Sequence, residues 1–383
     1  MTLRKEIGIG IIGGGYMGKA HSVAMAAVGA VFNTSLRPRL EMICAASDES
    51  AAGYREAYGF ARSTASWQTL VHDPRVEAVV IAAPQSLHHR IAKAAFALGK
   101  PVLCEKPMGE SLEQSADMLA LAQRSGVVHM VGFNYIRTPA SQYARKLVAQ
   151  GAIGDITWFR GEHTEDFYAD PKAPASWRTS GEANGTMGDL AAHMINAALA
   201  LVGPIEKVMA LIETVHKIRP QGDKLVPVDN DDHGQMMCRF ENSAIGQFYF
   251  SRIATGRKMG YAYEIFGTKG AIRFDQEDQN ALWFYSRLDE TAQQGFRKIL
   301  TGPAHPDYLP FCQGPGHGTG YQDQIIIEAR DFLEAISRGE PRWPNFEDGH
   351  AVNRVIAAAR ASAKRQEWVC IKDMDKEEVA NND

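Results

Sequence analysis

Three groups of residues in this 383-residue sequence have the types and spacing to do chemistry. Gly13-Gly14-Gly15-Tyr16-Met17-Gly18 fits G-x-G-x-x-G directly after an isoleucine-rich run. In that setting glycines let the backbone bend tightly and approach a pyrophosphate, which sits on the N–H groups opening the next helix. The bare pattern is weak, and its alternative is a glycine-rich turn with no ligand. At the first strand-to-helix turn of a βαβ series it is strong, and it marks Gly13, Gly15, Tyr16, Met17 and Gly18 as cofactor contacts. The second group, Cys104-Glu105-Lys106-Pro107, closes an apolar strand. Pro107 restricts the backbone before it and is expected to aim Glu105 and Lys106 outward, beside the cofactor. An ammonium there polarises a hydroxyl or carbonyl oxygen and stabilises developing negative charge; an ordinary surface lysine in a turn is the alternative. The third group is Asp189 and His193, four apart on an apolar helix and so on one face. A carboxylate one turn from a buried imidazole tunes it for proton transfer near neutral pH, although an acidic residue near a helix start is also favoured for the dipole alone. No metal is expected, because this pair lacks a third ligand and no HExxH or cysteine cluster supplies one.

These groups need elements to hold them. The first 134 residues alternate short apolar runs with helical patterns. The runs are Ile7–Ile12, Glu41–Ala46, Ala78–Ala82, Val102–Glu105 and Val127–Phe133; helices are expected from Met17 and over Ser50–Tyr58, His88–Leu98 and Leu112–Arg124. Continuous apolar runs separated by helices mark a parallel sheet covered on both faces, a doubly wound α/β unit whose ligands sit at the carboxyl ends of the strands. Ala83 and Pro84 end one such strand and could line the nicotinamide, with His88 opening the helix that follows. The end of the second strand, where a carboxylate should hold the ribose hydroxyls, reads Cys44-Ala45-Ala46-Ser47-Asp48. Ser47 and Asp48 are the candidates there. Asp48 sits late, and the segment Gly29–Arg39 with Pro38 is longer than usual. With no Arg or Lys in that turn the reading leans to NAD over NADP.

Residues 135–383 read as a second domain. A helix over Ala140–Gln150 leads to a strand, Ile156–Thr164, then to a loop rich in Pro and Asp, and then to one long helix, Gly188–Leu201. Strands follow at Ile205–Thr214, Asp232–Phe240, Ala244–Ser251, Tyr261–Phe266, Ala271–Phe274 and Leu282–Tyr285, joined by short turns as in an antiparallel sheet. A loop dense in Gly, Pro and His (Gly302–Gly320), helices over Asp323–Ser337 and Gly349–Arg365, and a charged tail expected to fray after Lys372 complete the chain.

Composition narrows the partners. Apolar residues are 45% and charged residues 22%, enough for a core in each domain. With 41 Lys+Arg against 45 Asp+Glu the net charge is −4, which argues against nucleic acid or an anionic membrane as partner. No run of 18 apolar residues is present, and the basic then apolar start, interrupted by glycine, is a poor signal peptide. Five scattered cysteines without a CxxC pair fit a reduced, cytoplasmic protein.

Gly13–Gly18, Glu105-Lys106-Pro107 and Asp189 with His193, in this order, resemble the Gfo/Idh/MocA oxidoreductase family over nearly the whole chain. The resemblance implies an N-terminal Rossmann domain and a C-terminal α/β domain with a large open, mostly antiparallel sheet that often mediates oligomers, here a homo-oligomer (dimer or tetramer). It implies hydride transfer between NAD, with NADP possible, and a secondary hydroxyl of a small-molecule cyclitol or sugar. Lys106, Asp189 and His193 match the family's catalytic lysine, aspartate and histidine and would also contact substrate. The segments EDFYADPKAPASWR, KILTGPAHP and GHGTGY are similar to the subgroup holding the scyllo-inositol/L-glucose and levoglucosan dehydrogenases, the inositol type being the nearer match. By that likeness His163, Glu165 and Asp166 bind substrate hydroxyls, Trp177-Arg178 supply an aromatic wall and a donor fork, and His317 closes over the ring; for each, a plain loop residue is the alternative. Ala45 departs from the family, which commonly has Asp there, and leaves cofactor choice open. The alternatives are a non-catalytic NAD(P)-binding regulator, which the intact Lys106, Asp189 and His193 disfavour, a redox-dependent glycosidase, and a 3-keto-forming sugar oxidase acting on glycosides.

Overall fold

The computed structural model describes residues 5–374; the end of the charged tail expected to fray, residues 375–383, lies outside the described residues. The chain divides into two compact units, residues 1–137 with 320–350, and 138–319 with 351–383.

The first unit opens with β1 (Lys5–Ile12), α1 (Tyr16–Val31), β2 (Leu36–Cys44), α2 (Asp48–Tyr58), β3 (Arg62–Thr64) and α3 (Trp67–His72). It continues through β4 (Ala78–Ile81), α4 (His88–Ala97), β5 (Val102–Glu105), α5 (Leu112–Ser125) and β6 (His129–Gly132). The six strands form a parallel sheet in the order β3-β2-β1-β4-β5-β6. Residues 78–81 and 102–105 are buried throughout, as strands covered on both faces must be. The order reverses between β1 and β4, so the crevice at the carboxyl end of β1 is the topological switch point, and the glycine loop occupies it. One expectation is corrected. Pro38 does not lie in a long connection: β2 begins at Leu36. There β2 pairs only with β1, since β3 joins it from Met42, and proline is tolerated where a strand has one free edge.

The second unit contains α6 (Pro139–Ala149), β7 (Ile156–Thr164), α7 (Ala192–Leu201), β8 (Ile205–Glu213), β9 (Ile218–Gln221), β10 (Lys224–Pro227), β11 (His233–Phe240) and β12 (Ile245–Ser251). It goes on with β13 (Gly260–Gly267), β14 (Gly270–Asp275), β15 (Ala281–Ser286) and β16 (Arg297–Leu300). Along the chain then come α8 (Tyr321–Arg338), which lies in the first unit, α9 (Phe346–Arg365), which begins there and runs into the second, and β17 (Val369–Cys370) of the second. Nine strands make one sheet, β16-β15-β14-β13-β7-β12-β11-β8-β17, antiparallel except for β7 with β12; β9 and β10 form a separate hairpin. Burial alternates along β11 and β12, so one face is core and the other open.

Helix α8 belongs with the first unit, although the sequence reading placed everything after 134 in the second. Its apolar face (Ile325, Ala329, Phe332, Leu333) is buried, Gln322 donates to the Ala20 carbonyl of α1 at 2.9 Å, and Asp331 pairs with Arg137. A helical period shows which face is buried but not against which partner.

His129 gives this unit a pH dependence. The Phe346 N–H donates to its Nδ1 at 3.1 Å, and burial pushes its pKa from 6.5 down to about 4. The unfolded chain takes up the proton at the higher value, so the ring's contribution is complete above pH 6.5 and is lost as pH falls toward 4. The loss should be on the order of 3 kcal/mol at most. Denaturant midpoints at pH 4.5 and 7.5 should differ less in His129→Gln, which keeps an acceptor and removes the titration; an equal difference in both proteins would assign the effect elsewhere.

Candidate active site residues

In the first unit the glycine loop is shaped for close approach. Gly13 has φ +104°, in the region that favours glycine, and a Cβ there would collide with the Ala82 carbonyl. A Cβ on Gly18 would collide with the Gly13 carbonyl, so α1 can lie against the loop only with glycine at this position. At Gly15, by contrast, a Cβ would meet nothing within 4 Å. Gly15 caps α1 without a side-chain hydrogen bond, and no acidic residue occupies the first turn. The N-terminus of this 16-residue helix is thus left without a side-chain cap, at the position where such helices bind a pyrophosphate. Tyr16 is 70% exposed at the first helical position, while the Met17 sulfur accepts from the Tyr321 hydroxyl at 3.3 Å. Ser47 caps α2 through Ser50 N, and Asp48 is the exposed first residue of that helix, just past the end of β2.

Lys106 is half-buried after β5, with a cis bond to Pro107. Glu105 does not face outward. Successive strand side chains point to opposite faces, and Glu105 turns inward, 6% exposed, with His21 Nε2 2.7 Å from its Oε1. His21, Glu105 and Glu328 bring their ligand atoms within 4.8 Å of one another, and Arg137 Nε lies 3.5 Å from Glu328 Oε1 to offset their charge. Burial raises the Glu328 carboxyl to about 7, with Arg137 and His21 opposing. Neither His21 nor Glu328 was singled out from sequence; His21 lies one turn beyond Gly18 on the buried face of α1, a signal available only once that face is known. His88 also points inward. It is 1% exposed, with Nδ1 3.0 Å from the Pro107 carbonyl and Nε2 3.0 Å from the Ala83 carbonyl. Rather than projecting from the turn, it ties the Ala83-Pro84 turn to the Lys106-Pro107 turn.

In the second unit the expected single helix over 188–201 is instead a π-turn, Met187–Ala191, followed by α7. The turn is anchored by the Thr186 hydroxyl on the Asp232 carbonyl (2.8 Å) and by Met187 N on Asp231 Oδ2 (2.7 Å). Gly188 packs where a Cβ would collide with the Ala183 carbonyl. Such wide turns recur at functional sites because they re-aim side chains. Here Asp189 is left half-exposed and His193 is 6% exposed. His163, at the end of β7, packs its ring 5.6 Å from that of His193; its Nδ1 meets the Leu190 carbonyl at 2.8 Å and its Nε2 lies 3.3 Å from Glu165 Oε1. Arg178 reaches Asp189, Nε to Oδ2 3.9 Å, and lies 4.2 Å from the centre of the Trp177 ring. The fold thus gathers His163, Glu165, Arg178, Asp189 and His193 around one turn.

Two further substrate-contact candidates have partners within the chain. Asp166 is held by Lys258 Nζ at 2.8 Å and by Gly256 N at 3.1 Å, and the Lys258 bond holds its carboxyl below the usual range. His317 is exposed on the 302–320 loop, with Nδ1 3.2 Å from Cys312 Sγ. That loop is ordered around the Tyr308 hydroxyl, which donates to the Gly314 carbonyl and accepts from Gly318 N.

Comparison with known proteins agrees with both units. The description "Oxidoreductase family, NAD-binding Rossmann fold" matches residues 7–133, and "GFO/IDH/MocA C-terminal domain" matches 141–273. Levoglucosan dehydrogenase of Pseudarthrobacter phenanthrenivorans is 39% identical, over 95% of this chain and 98% of its own. A solved levoglucosan dehydrogenase in complex with NADH and levoglucosan is 40% identical with a TM-score of 0.94, over 96% of this chain and 100% of that one. The scyllo-inositol 2-dehydrogenase (NADP+) of Bacillus subtilis is more distant, 25% identical over 80% of this chain and 82% of its own. The nearer likeness to the inositol type expected from the loop segments is thereby corrected: a few short stretches weigh less than identity over the whole chain.

Proposed function

Since the chain belongs to the Gfo/Idh/MocA oxidoreductase family, an NAD-binding family, we propose that it is an NAD-dependent sugar dehydrogenase acting on a secondary hydroxyl of a sugar or anhydro sugar such as levoglucosan. The observation that carries the reading is the polar group around the π-turn, His163, Glu165, Arg178, Asp189 and His193, in a chain that aligns end to end with a levoglucosan dehydrogenase. A neutral polyhydroxylated ring needs many donors and acceptors rather than one charge, and this group supplies both kinds. When bound, NAD would supply the hydride acceptor for the carbinol hydrogen. His193 removes the hydroxyl proton, Lys106 stabilises the developing alkoxide, and Asp189 orients its neighbours. The glycine loop and the open N-terminus of α1 hold the pyrophosphate, and Asp48 beside the end of β2 favours the ribose hydroxyls of NAD over a 2′-phosphate.

The free thiols of all five cysteines support a reducing compartment such as the cytoplasm. The open sheet face carries Leu211, Met237 and Ile245, each more than half exposed, which supports a homo-oligomer. Met237→Glu should lower the mass measured by light scattering; an unchanged mass would move the interface elsewhere.

Initial rates with levoglucosan, glucose enantiomers and inositol isomers, each with NAD and NADP, test the reading. NADH formation fastest with levoglucosan or another sugar is the expected result. A preference for scyllo- or myo-inositol would return the inositol reading, and binding of NADH without turnover of any member would favour the regulator.

A further inference from the structure

The stretch between β7 and the π-turn, residues 165–186, contains no strand and only two short 3-10 turns, Trp177–Thr179 and Glu182–Asn184. Its carbonyls therefore need partners outside a regular ladder. They find them on side chains buried beneath the loop. Arg219, 0% exposed, donates through Nη2 to the Tyr168 carbonyl at 2.7 Å and through Nη1 to the Asp170 carbonyl at 2.8 Å. Arg252, 2% exposed, donates through Nη1 to the Arg178 carbonyl at 2.7 Å. Asn230, 3% exposed, donates through Nδ2 to that same carbonyl and to the Gly181 carbonyl, both at 3.0 Å.

These side chains also hold one another. Arg252 Nη2 donates to Asn230 Oδ1 at 2.7 Å, and Arg252 Nε donates to Asp232 Oδ1 at 3.0 Å. Asp232, 0% exposed, takes the N–H groups of Val215 and His216 on its other oxygen. Two buried guanidiniums are costly unless their donors are used. Here the donors converge on the loop, and the residue they fix most firmly is Arg178, whose carbonyl receives two of them. The Arg178 side chain reaches Asp189 and lies over Trp177, whose indole is 54% exposed.

We propose that Asn230 and Arg252 are positioning residues that hold the Trp177–Arg178 pair beside Asp189 as a preformed wall for a rigid polyhydroxylated ring, with the C–H face of the ring on the indole and hydroxyls toward the guanidinium. The substrate assignment rests on the sugar dehydrogenase reading above; the clamp itself does not. The wall is part of the free enzyme, and a substrate meets it without the cost of ordering twenty residues of loop.

Asn230→Ala removes both donors with little loss of volume, and Arg252→Lys keeps the positive charge beside Asp232 while losing the fork. In the free protein, amide hydrogen exchange of peptides within 168–184 should quicken at least tenfold in Asn230→Ala, with peptides of α7 unchanged. With the best substrate of the panel, KM should rise tenfold or more while kcat and NADH affinity stay near wild type; Arg252→Lys should fall between Asn230→Ala and wild type. Unchanged exchange in the loop overturns the proposal whether or not any sugar is turned over, and so does fast exchange with an unchanged KM. An equal fall in kcat with KM untouched also overturns it. If the wild type turns over no sugar, the function reading fails on its own, and the exchange measurement alone supports or overturns the clamp.

Discussion

Lys106→Met and His193→Ala should each lower kcat by about 10²–10⁴-fold while NADH affinity stays nearly unchanged. Methionine keeps most of the lysine stem and its apolar contacts but removes the ammonium, so the loss reports charge rather than packing. Alanine at 193 leaves the hydroxyl proton without its acceptor; because the ring is buried, melting curves must accompany the rates to separate folding from chemistry. The pH profile divides the two roles. Loss of the imidazole should abolish the acidic limb of kcat/KM, whereas Lys106→Met should lower the whole profile and keep that limb. The double variant should fall by less than the product of the two single losses, as for residues acting as a unit. Wild-type turnover in either single variant would end the catalytic assignment, and full multiplicativity would mean that the two groups act at separate steps.

The second large effect concerns the glycine loop, where binding and folding can be separated. Gly15 has φ −69°, which alanine adopts freely, and an added Cβ meets no atom within 4 Å. Gly15→Ala should therefore melt like the wild type, yet place a methyl where the pyrophosphate must come close. NADH affinity, followed by fluorescence titration, should drop at least tenfold, about 1.4 kcal/mol. Gly18→Ala is the contrast. Its Cβ collides with the Gly13 carbonyl, backbone against helix, and nothing there can rotate away. That variant should lose stability on the scale of an overpacked core, about 1–3 kcal/mol, together with binding. If Gly15→Ala binds NADH as the wild type does, the pyrophosphate does not lie on this loop.

Much of this was legible from the residues, and the reason is locality. The isoleucine run of β1, the glycines after it and the alternation of buried strands with amphipathic helices are patterns within a few residues of one another, and they carried the doubly wound unit. The period-2 burial of β11 and β12 carried the antiparallel sheet in the same way. The short β9–β10 hairpin was missed; its residues Ile218, Leu225 and Pro227 are exposed and leave no alternation to read. Lys106, Asp189 and His193 stand out as candidates in the sequence because each lies near a local marker, a proline or a helix start.

What the tertiary structure alone decided was direction and partnership. Glu105 and Lys106 are adjacent in sequence, yet Glu105 is buried against His21 while Lys106 is half-buried. Asp166 is a substrate-ligand candidate by sequence, and the fold pairs it with Lys258, 92 residues on. The π-turn at Met187–Ala191 follows from Asp231, Asp232 and Ala183 packing against it. Arg219, Asn230 and Arg252 carry no motif at all. Spacing along a chain determines which side chains share a face; only the closing of long loops determines what that face meets, because burial and hydrogen bonding are settled by groups far apart in sequence.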